Sequence, residues 1–175
     1  MIFEKQKIQG VYLIKPEHFT DNRGVFRRHF CKKEFKKKNI FNQVSQCNVS
    51  ENNKKGTLRG FHYQIGKSAE AKSLSCIKGS IYDVVVDLRL KSKTFGKWIS
   101  FELNSENRAM VHIPKGCANA FLTLKNNSII HYYCSNNYDP KNERGIRFDD
   151  PFFSFKWPIK IKHISKKDRS HFNFK

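Results

Sequence analysis

The amino-acid sequence predicts an all-β protein, an antiparallel β-sandwich or barrel with few short helices. From residue 57 onward, short β-prone runs follow one another at near-regular intervals, separated by turn signals, a pattern typical of such folds. In the run 81–90, alternate residues (Tyr82, Val84 and Val86) share an apolar face, as in a half-buried strand. The segment 32–38 is the plausible helix, and its polar residues dominate, so we expect a solvated turn of helix.

The elements follow in chain order. Residues 10–14 are apolar and β-prone, 20–24 concentrate turn-forming residues, and 25–30 resume the strand pattern. Later strands are expected at 57–64, 72–77, 81–90, 97–103, 109–113, 118–124 and 128–134.

The last quarter, 145–175, is less regular, because Pro151 and Pro158 force turns. Ser165 can cap a single helical turn that contains Asp168. Without other information, Asp168 is read as a helix-stabilising carboxylate at the surface.

Length and composition favour one domain. The 175 residues include 16 phenylalanines, enough apolar bulk for a substantial core. No run approaches the ~18 apolar residues of a membrane span, and the first residues lack the apolar core of a signal peptide. The five cysteines are scattered, which argues against a zinc site or a disulfide framework. We therefore expect a single cytoplasmic domain over 1–175, with reduced thiols and no membrane partner.

The formal charge of +19 raises the hypothesis of a nucleic-acid-binding β domain. The lysines are dispersed, however, and cluster only at 36–38, 54–55 and 166–167. The chain is also rich in Asn, Ile and Phe, which share A/T-rich codons with Lys. We expect no nucleic-acid partner, and a basic surface that attracts a small anionic substrate.

Residues 57–64, TLRGFHYQ, carry a cation and a titratable imidazole three positions apart, Arg59 and His62. Positions three apart face opposite sides of an ideal strand. One site can contain both side chains only if the strand bends or bulges, and Gly60 between them makes this easy. The alternative is that His62 is a structural histidine.

Two further candidates for acid–base chemistry lie on predicted strands. Lys72 shares a strand face with Leu74, and Tyr132 shares one with Ile130, so both would be partly buried. A lysine is rarely placed so without a partner, whereas a tyrosine often fills a core with its hydroxyl hydrogen-bonded. The sequence has no P-loop, dinucleotide fingerprint, H-x-H pair or G-x-S-x-G elbow, so we expect no metal site.

A set of motifs shares one order and spacing with a known family. TLRGFHYQ is followed by Lys72, then by DVVVDLR, IPKGCANAF, RGIRFDDP and a WP pair. From about Gly10 to Asp168 the chain resembles the RmlC family, the nucleotide-activated 4-keto-6-deoxy sugar 3,5-epimerases. The resemblance implies a cupin-type jelly roll, a homodimer with intertwined N-terminal strands, and no metal or nicotinamide cofactor.

The resemblance also implies roles. His62 matches the catalytic base and Asp168 the carboxylate that orients it, a pairing that raises the basicity of the imidazole. Lys72 matches the group that stabilises the enolate oxygen, and Tyr132 the residue that returns a proton on the opposite face of the sugar. Arg59 matches a diphosphate ligand. Other substrate-binding positions, partly from the neighbouring subunit, are Phe19, Arg23, Phe26, Gln46, Asn48, Asn119 and Tyr138.

Three departures from the family pattern leave the substrate open. Arg28 stands where a glutamate is usual in the nucleotide pocket, so the nucleotide could be dTDP or GDP. Asn119 replaces a second histidine and cannot titrate near neutral pH, which leaves open inversion at C3 and C5 or at C3 alone. Cys47 replaces an aspartate, and the sugar could be a hexose or a heptose.

The leading hypothesis is a cytoplasmic epimerase that supplies a surface-polysaccharide pathway, such as capsule or lipopolysaccharide. A ketone at C4 acidifies the hydrogens at C3 and C5, so a base can form an enolate that is reprotonated from the other face. The rival from another class is a non-catalytic sugar-nucleotide-binding cupin. Binding alone does not require both Lys72 and Tyr132, which favours the enzyme.

Overall fold

The computed structural model describes residues 1–40 and 43–174, and β-strands make up most of their regular secondary structure. The strands are β1 (Ile2–Lys5), β2 (Tyr12–Lys15), β3 (His18–Asp21), β4 (Gly24–Arg27), β5 (Gln46–Asn52), β6 (Thr57–Gln64), β7 (Lys72–Lys78), β8 (Ser80–Asp87), β9 (Trp98–Asn104), β10 (Met110–Ile113), β11 (Cys117–Thr123), β12 (Ser128–Cys134), β13 (Glu143–Gly145) and β14 (His163–Ile164). The helices are α1 (Lys32–Lys37), α2 (Lys166–Arg169) and a 3-10 turn at Gly66–Ser68.

Two sheets face each other, and the predicted all-β sandwich is confirmed. One sheet has the strand order β1-β2-β10-β7-β12-β5 and the other β13-β6-β11-β8-β9, with β14 parallel to β6. Side chains between the sheets form an apolar core, with Leu74 and Ile130 from the first sheet and Val85 and Phe121 from the second. Among the described residues, no helix has the length and apolar character of a membrane span.

The outer face of the second sheet is covered by the irregular last quarter of the chain. Phe155 and Trp157 pack with Phe61, and Tyr82, Val84 and Val86 belong to the same cluster, as their alternation predicted. This covering segment leads back to β14 and α2, beside β6. Burial of these aromatic side chains therefore fixes where Asp168 lies.

Two local predictions need correction. The helix at 32–38 is not merely solvated, because Phe35 is fully buried against Ile14 and Met110 on the outer face of the first sheet. A single apolar side chain thus anchors α1. The sequence also did not predict β3, which pairs with β4 as a separate two-stranded hairpin.

Strand β6 contains the bulge that places Arg59 and His62 together. Arg59 lies opposite Phe121 and His62 opposite Asn119, so three steps along β6 match two along β11. Gly60 has φ +111°, and a Cβ there would lie 2.6 Å from the backbone oxygen of Asn119. The close approach of two backbones therefore requires glycine at this position.

Replacing Gly60 with alanine should lower the free energy of unfolding by about 3 kcal/mol or more, because it adds backbone overlap to positive-φ strain. Gly66→Ala is the matched control, since Gly66 has φ +62° and open space around it, and should cost only about 1 kcal/mol. Urea unfolding of both variants measures the difference. Equal losses would show that the predicted overlap does not occur.

His112 makes stability depend on pH. It is buried, its Nδ1 lies 2.9 Å from Ser73 Oγ, and burial lowers its pKa from 6.5 to about 3. Between these values the unfolded chain binds more protons than the folded protein, so stability falls as the pH falls below 6.5. His112→Gln should reduce the loss of unfolding free energy between pH 7.5 and 5 by about 2 kcal/mol. Urea titrations of both proteins at both pH values measure this loss. An equal loss in His112→Gln and in the wild-type protein would contradict the prediction.

Candidate active site

A cavity of about 540 Å³ opens between the sheets, beside the bulge in β6. It is lined by Arg59, His62, Lys72, Asn119, Tyr132 and Asp168, which come from both sheets and α2. A second cavity of about 300 Å³ shares three of these residues and adds Gln46, Asn48 and Tyr138. The structure thus brings nine of the predicted site residues to two cavities with a common wall.

His62 and Asp168 form a dyad at that wall. His62 Nε2 lies 2.7 Å from Asp168 Oδ1, and the Gly60 amide donates to Asp168 Oδ2 at 3.2 Å. Asp168 is 4% exposed and is not the surface carboxylate that its helical turn alone suggested. Its burial opposes charge, but the hydrogen bonds from His62 and Gly60 hold the pKa of Asp168 below its ordinary value. Asp168 is therefore a carboxylate, and a carboxylate that is hydrogen-bonded to one ring nitrogen of an imidazole makes the other nitrogen more basic.

Lys72 has the buried partner that its predicted position required. Its Nζ lies 3.0 Å from Glu70 Oε1, and the two side chains are 16% and 7% exposed. Glu70 also lines the second cavity, although sequence reasoning did not select it. The sequence could have indicated Glu70, because it is an acidic residue only two positions from a lysine that was expected to be partly buried.

Tyr132 is half-buried in the walls of both cavities. Burial raises the pKa of its phenol, and the negative charge of Glu70 raises it further. The hydroxyl therefore stays protonated at neutral pH and can donate a proton or a hydrogen bond. The structure thus places Tyr132 beside His62 and Lys72 in both cavities.

Asn119 is held by a carboxyl group that the sequence did not single out. Asn119 Nδ2 donates to Asp83 Oδ1 at 2.9 Å. Asp83 is fully buried, which raises its pKa to about 7, against the opposing effects of the Asn119 hydrogen bond and the charge of Lys72. The Asp83–Asn119 pair fixes the amide at the cavity wall.

The remaining cavity residues are polar groups with defined partners. Arg59 Nε donates to Asn52 Oδ1 at 2.8 Å. The Tyr138 hydroxyl donates to Glu143 Oε2 at 2.7 Å, and the Tyr138 amide donates to Gln46 Oε1. These hydrogen bonds orient groups that can recognise hydroxyl and phosphate oxygens.

Three predicted residues lie elsewhere. Phe19, Arg23 and Phe26 line a separate pocket on the β3–β4 hairpin, and the two phenylalanines are 72% and 71% exposed. A single chain therefore does not bring them to the His62 cavity.

Two of the departures from the family pattern also lie away from the cavity walls. Arg28 is an exposed residue and donates to Glu34 Oε1 at 3.1 Å. Cys47 Sγ lies 3.0 Å from His131 Nε2 and is exposed, while its neighbours Gln46 and Asn48 line the second cavity.

Known proteins are similar to this chain over nearly its whole length. A sequence model of dTDP-4-dehydrorhamnose 3,5-epimerase matches residues 5–175. The enzyme of that name from Sinorhizobium fredii is 39% identical over 171 residues, which cover 97% of this chain and 88% of the relative.

Solved structures show the same fold. The dTDP-4-dehydrorhamnose 3,5-epimerase of Bacillus anthracis, with TDP and PPi bound, has a TM-score of 0.95 and 31% identity, covering 99% of both chains. ChmJ, a 3'-monoepimerase from Streptomyces bikiniensis in complex with dTDP-quinovose, has a TM-score of 0.90 and 32% identity, covering 96% of this chain and 85% of that one. The expected cupin-type jelly roll is confirmed, and the chain belongs to the dTDP-4-dehydrorhamnose 3,5-epimerase family.

Proposed function

We propose that this protein is a cofactor-independent epimerase of a nucleoside-diphosphate 4-keto-6-deoxy sugar. The observation that carries the proposal is the His62–Asp168 dyad, which shares its cavity with Lys72 and Tyr132. The rival hypothesis is a sugar-binding protein without activity. Binding alone does not require a base, a proton donor and a partly buried ammonium group in one cavity.

The mechanism follows from the roles of these groups. His62 removes the acidic proton beside the C4 ketone, while Asp168 holds the ring and stabilises the imidazolium. Lys72 faces the oxygen on which enolate charge develops, where a preorganised cation lowers the barrier. Tyr132 returns a proton from the opposite face, which inverts the carbon. Arg59 binds the diphosphate.

We propose dTDP as the nucleotide and C3 as the carbon that is always inverted. The bound ligands named for the Bacillus and Streptomyces relatives support a thymidine nucleotide. Asn119 cannot titrate, and one of the similar structures is a 3'-monoepimerase. GDP is the alternative nucleotide, because Arg28 places a positive charge where the family usually has a glutamate of the nucleotide pocket.

The proposal extends to the assembly and its setting. We infer a homodimer of single-domain chains (residues 1–175), in which the β3–β4 hairpin carries Phe19, Arg23 and Phe26 into the partner's nucleotide pocket. The high exposure of both phenylalanines supports this. We place the enzyme in the cytoplasm, in synthesis of a surface polysaccharide.

A substrate panel tests the proposed function. The purified protein is incubated with dTDP-4-keto-6-deoxyglucose and with GDP-4-keto-6-deoxymannose, and inversion is followed by proton NMR. Turnover of the dTDP sugar is expected. Turnover of the GDP sugar alone would reassign the nucleotide, and turnover of neither would favour the binding-only rival.

Tyr132→Phe should separate proton removal from inversion. The variant keeps His62, Lys72 and the ring that packs in the cavity wall, but it loses the donor on the opposite face. In heavy water it should still exchange the sugar proton, while inversion falls by about 10²-fold or more. Equal losses of exchange and inversion would contradict the assignment of Tyr132 as the acid.

A further inference from the structure

Three side chains with metal-binding atoms meet at one edge of the cavity. One donor atom from each of His62, Asp168 and His171 lies within 4.8 Å of the other two. His62 and Asp168 are separated by 106 residues in the chain, so no spacing in the sequence indicates the cluster. The proposed epimerase mechanism uses the first two residues and gives His171 no role.

Contacts with Gly145 and with the ring of His62 hold His171 in this position. Its ring packs over Gly145, whose missing Cβ would overlap the imidazole, and Gly145 pairs with His62 across β13 and β6. The rings of His62 and His171 meet edge to face with centroids 6.3 Å apart. Nε2 of His171 is buried and has no hydrogen-bond partner within residues 1–40 and 43–174. A buried ring nitrogen without a hydrogen-bond partner, beside a carboxylate, can bind a cation in the tautomer whose proton is on the other nitrogen.

We propose that His62, Asp168 and His171 form a binding site for a first-row divalent metal ion of the zinc class. Two imidazoles and one carboxylate are a donor set that such ions accept, with the remaining coordination positions open to water. Ligand atoms around a tetrahedral zinc ion lie about 3.3 Å apart. The donor atoms lie within 4.8 Å of one another, so binding of such an ion requires them to approach by up to about 1.5 Å.

The charges near the cluster permit a cation despite the basic surface. Asp168 and Glu143 are both acidic groups close to His171. Lys167, whose positive charge also acts on His171, is ion-paired with Glu143. The cluster therefore carries a negative charge locally, and His62 connects it to the open cavity, by which an ion can enter.

Metal binding at this site would inhibit the proposed epimerisation. In the free protein one proton lies between His62 Nε2 and Asp168 Oδ1. The ion replaces this proton, which goes to solvent. A positive ion on the ring then opposes the uptake of a second proton by His62, and Asp168 can no longer stabilise the imidazolium through its hydrogen bond. The ion should therefore inhibit epimerisation and compete with the substrate. This second consequence rests on the proposed function, whereas binding of the ion does not.

Titration with Co²⁺ and Zn²⁺ tests the site on the full-length protein, freed of any polyhistidine tag and without substrate. One ion per chain is expected, with a visible Co²⁺ spectrum of low coordination number and release of a proton measured by calorimetry in two buffers. His171→Phe keeps the ring shape without the nitrogens and should weaken binding about 100-fold or more. His171→Gln is the second variant if the first does not fold.

The matched control is His131→Phe, because His131 and Cys47 form the competing thiol–imidazole pair at 3.0 Å. This control should leave binding unchanged, and no thiolate-to-cobalt charge-transfer band should appear. X-ray absorption of the zinc-loaded wild-type protein should show two imidazole ligands. No binding at millimolar ion, equal binding by the His171 variants, or loss of binding in His131→Phe would overturn the proposal. If the wild-type protein binds the metal ion as expected but shows no epimerase activity, the result would count only against the proposed function.

Discussion

His62→Asn is expected to abolish epimerisation, with a fall in kcat of about 10³-fold or more, because it removes the proposed general base. Asparagine keeps a polar group of similar size near Asp168 but cannot accept the sugar proton at neutral pH. Exchange of the C3 hydrogen with heavy water, followed by NMR, should be lost together with inversion. The loss of both distinguishes this variant from Tyr132→Phe.

His131→Asn is the control for this variant. His131 is also a histidine in an interior strand of a sheet, but it packs on the outer side of the first sheet with His29 and Tyr133, in a pocket separate from the two that His62 lines. Circular dichroism and thermal unfolding show whether either variant alters the fold. Full exchange in His62→Asn with an intact fold would mean that another group is the base.

Lys72→Met is expected to lower kcat by about 10² to 10³-fold with a smaller change in KM. Methionine retains the length and packing of the side chain, but it removes the cation that we propose to stabilise the enolate oxygen. Glu70 would then be a buried carboxylate without its partner at 3.0 Å, so some loss of stability should accompany the loss of rate. Steady-state kinetics on the folded variant measure the two parameters separately.

The double variant Lys72→Met/Glu70→Gln removes the unpaired charge and tests whether stability explains the lost rate. Its stability should recover, whereas its kcat should stay low. A rise in KM with unchanged kcat in either variant would show that Lys72 binds the ground state and the transition state equally, and so does not stabilise the enolate selectively. Lys67→Met, at an exposed lysine in the preceding 3-10 turn, should leave both parameters unchanged.

Local patterns were sufficient to predict much of the sandwich. Alternation over 81–90 reflects a real face, since Tyr82, Val84 and Val86 share one cluster. The constraint on Arg59 and His62 was also local, because a strand can direct both to one cavity only through an irregularity, and the bulge is at Gly60. Likewise a lysine among apolar neighbours required a counter-ion, which is Glu70.

What the sequence could not provide depends on contacts between distant segments. Phe35 anchors α1 through Ile14 and Met110, which no window around residue 35 contains. The Asp83–Asn119 hydrogen bond joins neighbouring strands whose pairing must be known first. His171 becomes a neighbour of His62 only after the aromatic covering segment returns the chain to β6. Resemblance to a family supplied the roles of Asp168 and Tyr132, which periodicity alone left as structural residues.

Heavy-water exchange resolved by carbon tests the central claim most directly. The wild-type protein is incubated with dTDP-4-keto-6-deoxyglucose in deuterium oxide, with the GDP sugar in parallel, and deuterium at each ring carbon is measured by NMR. Deprotonation by His62 requires deuterium at C3, with inversion of that carbon, and deuterium at C5 if that centre also reacts. A folded protein that binds the sugar nucleotide but incorporates no deuterium at either carbon would contradict the epimerase account.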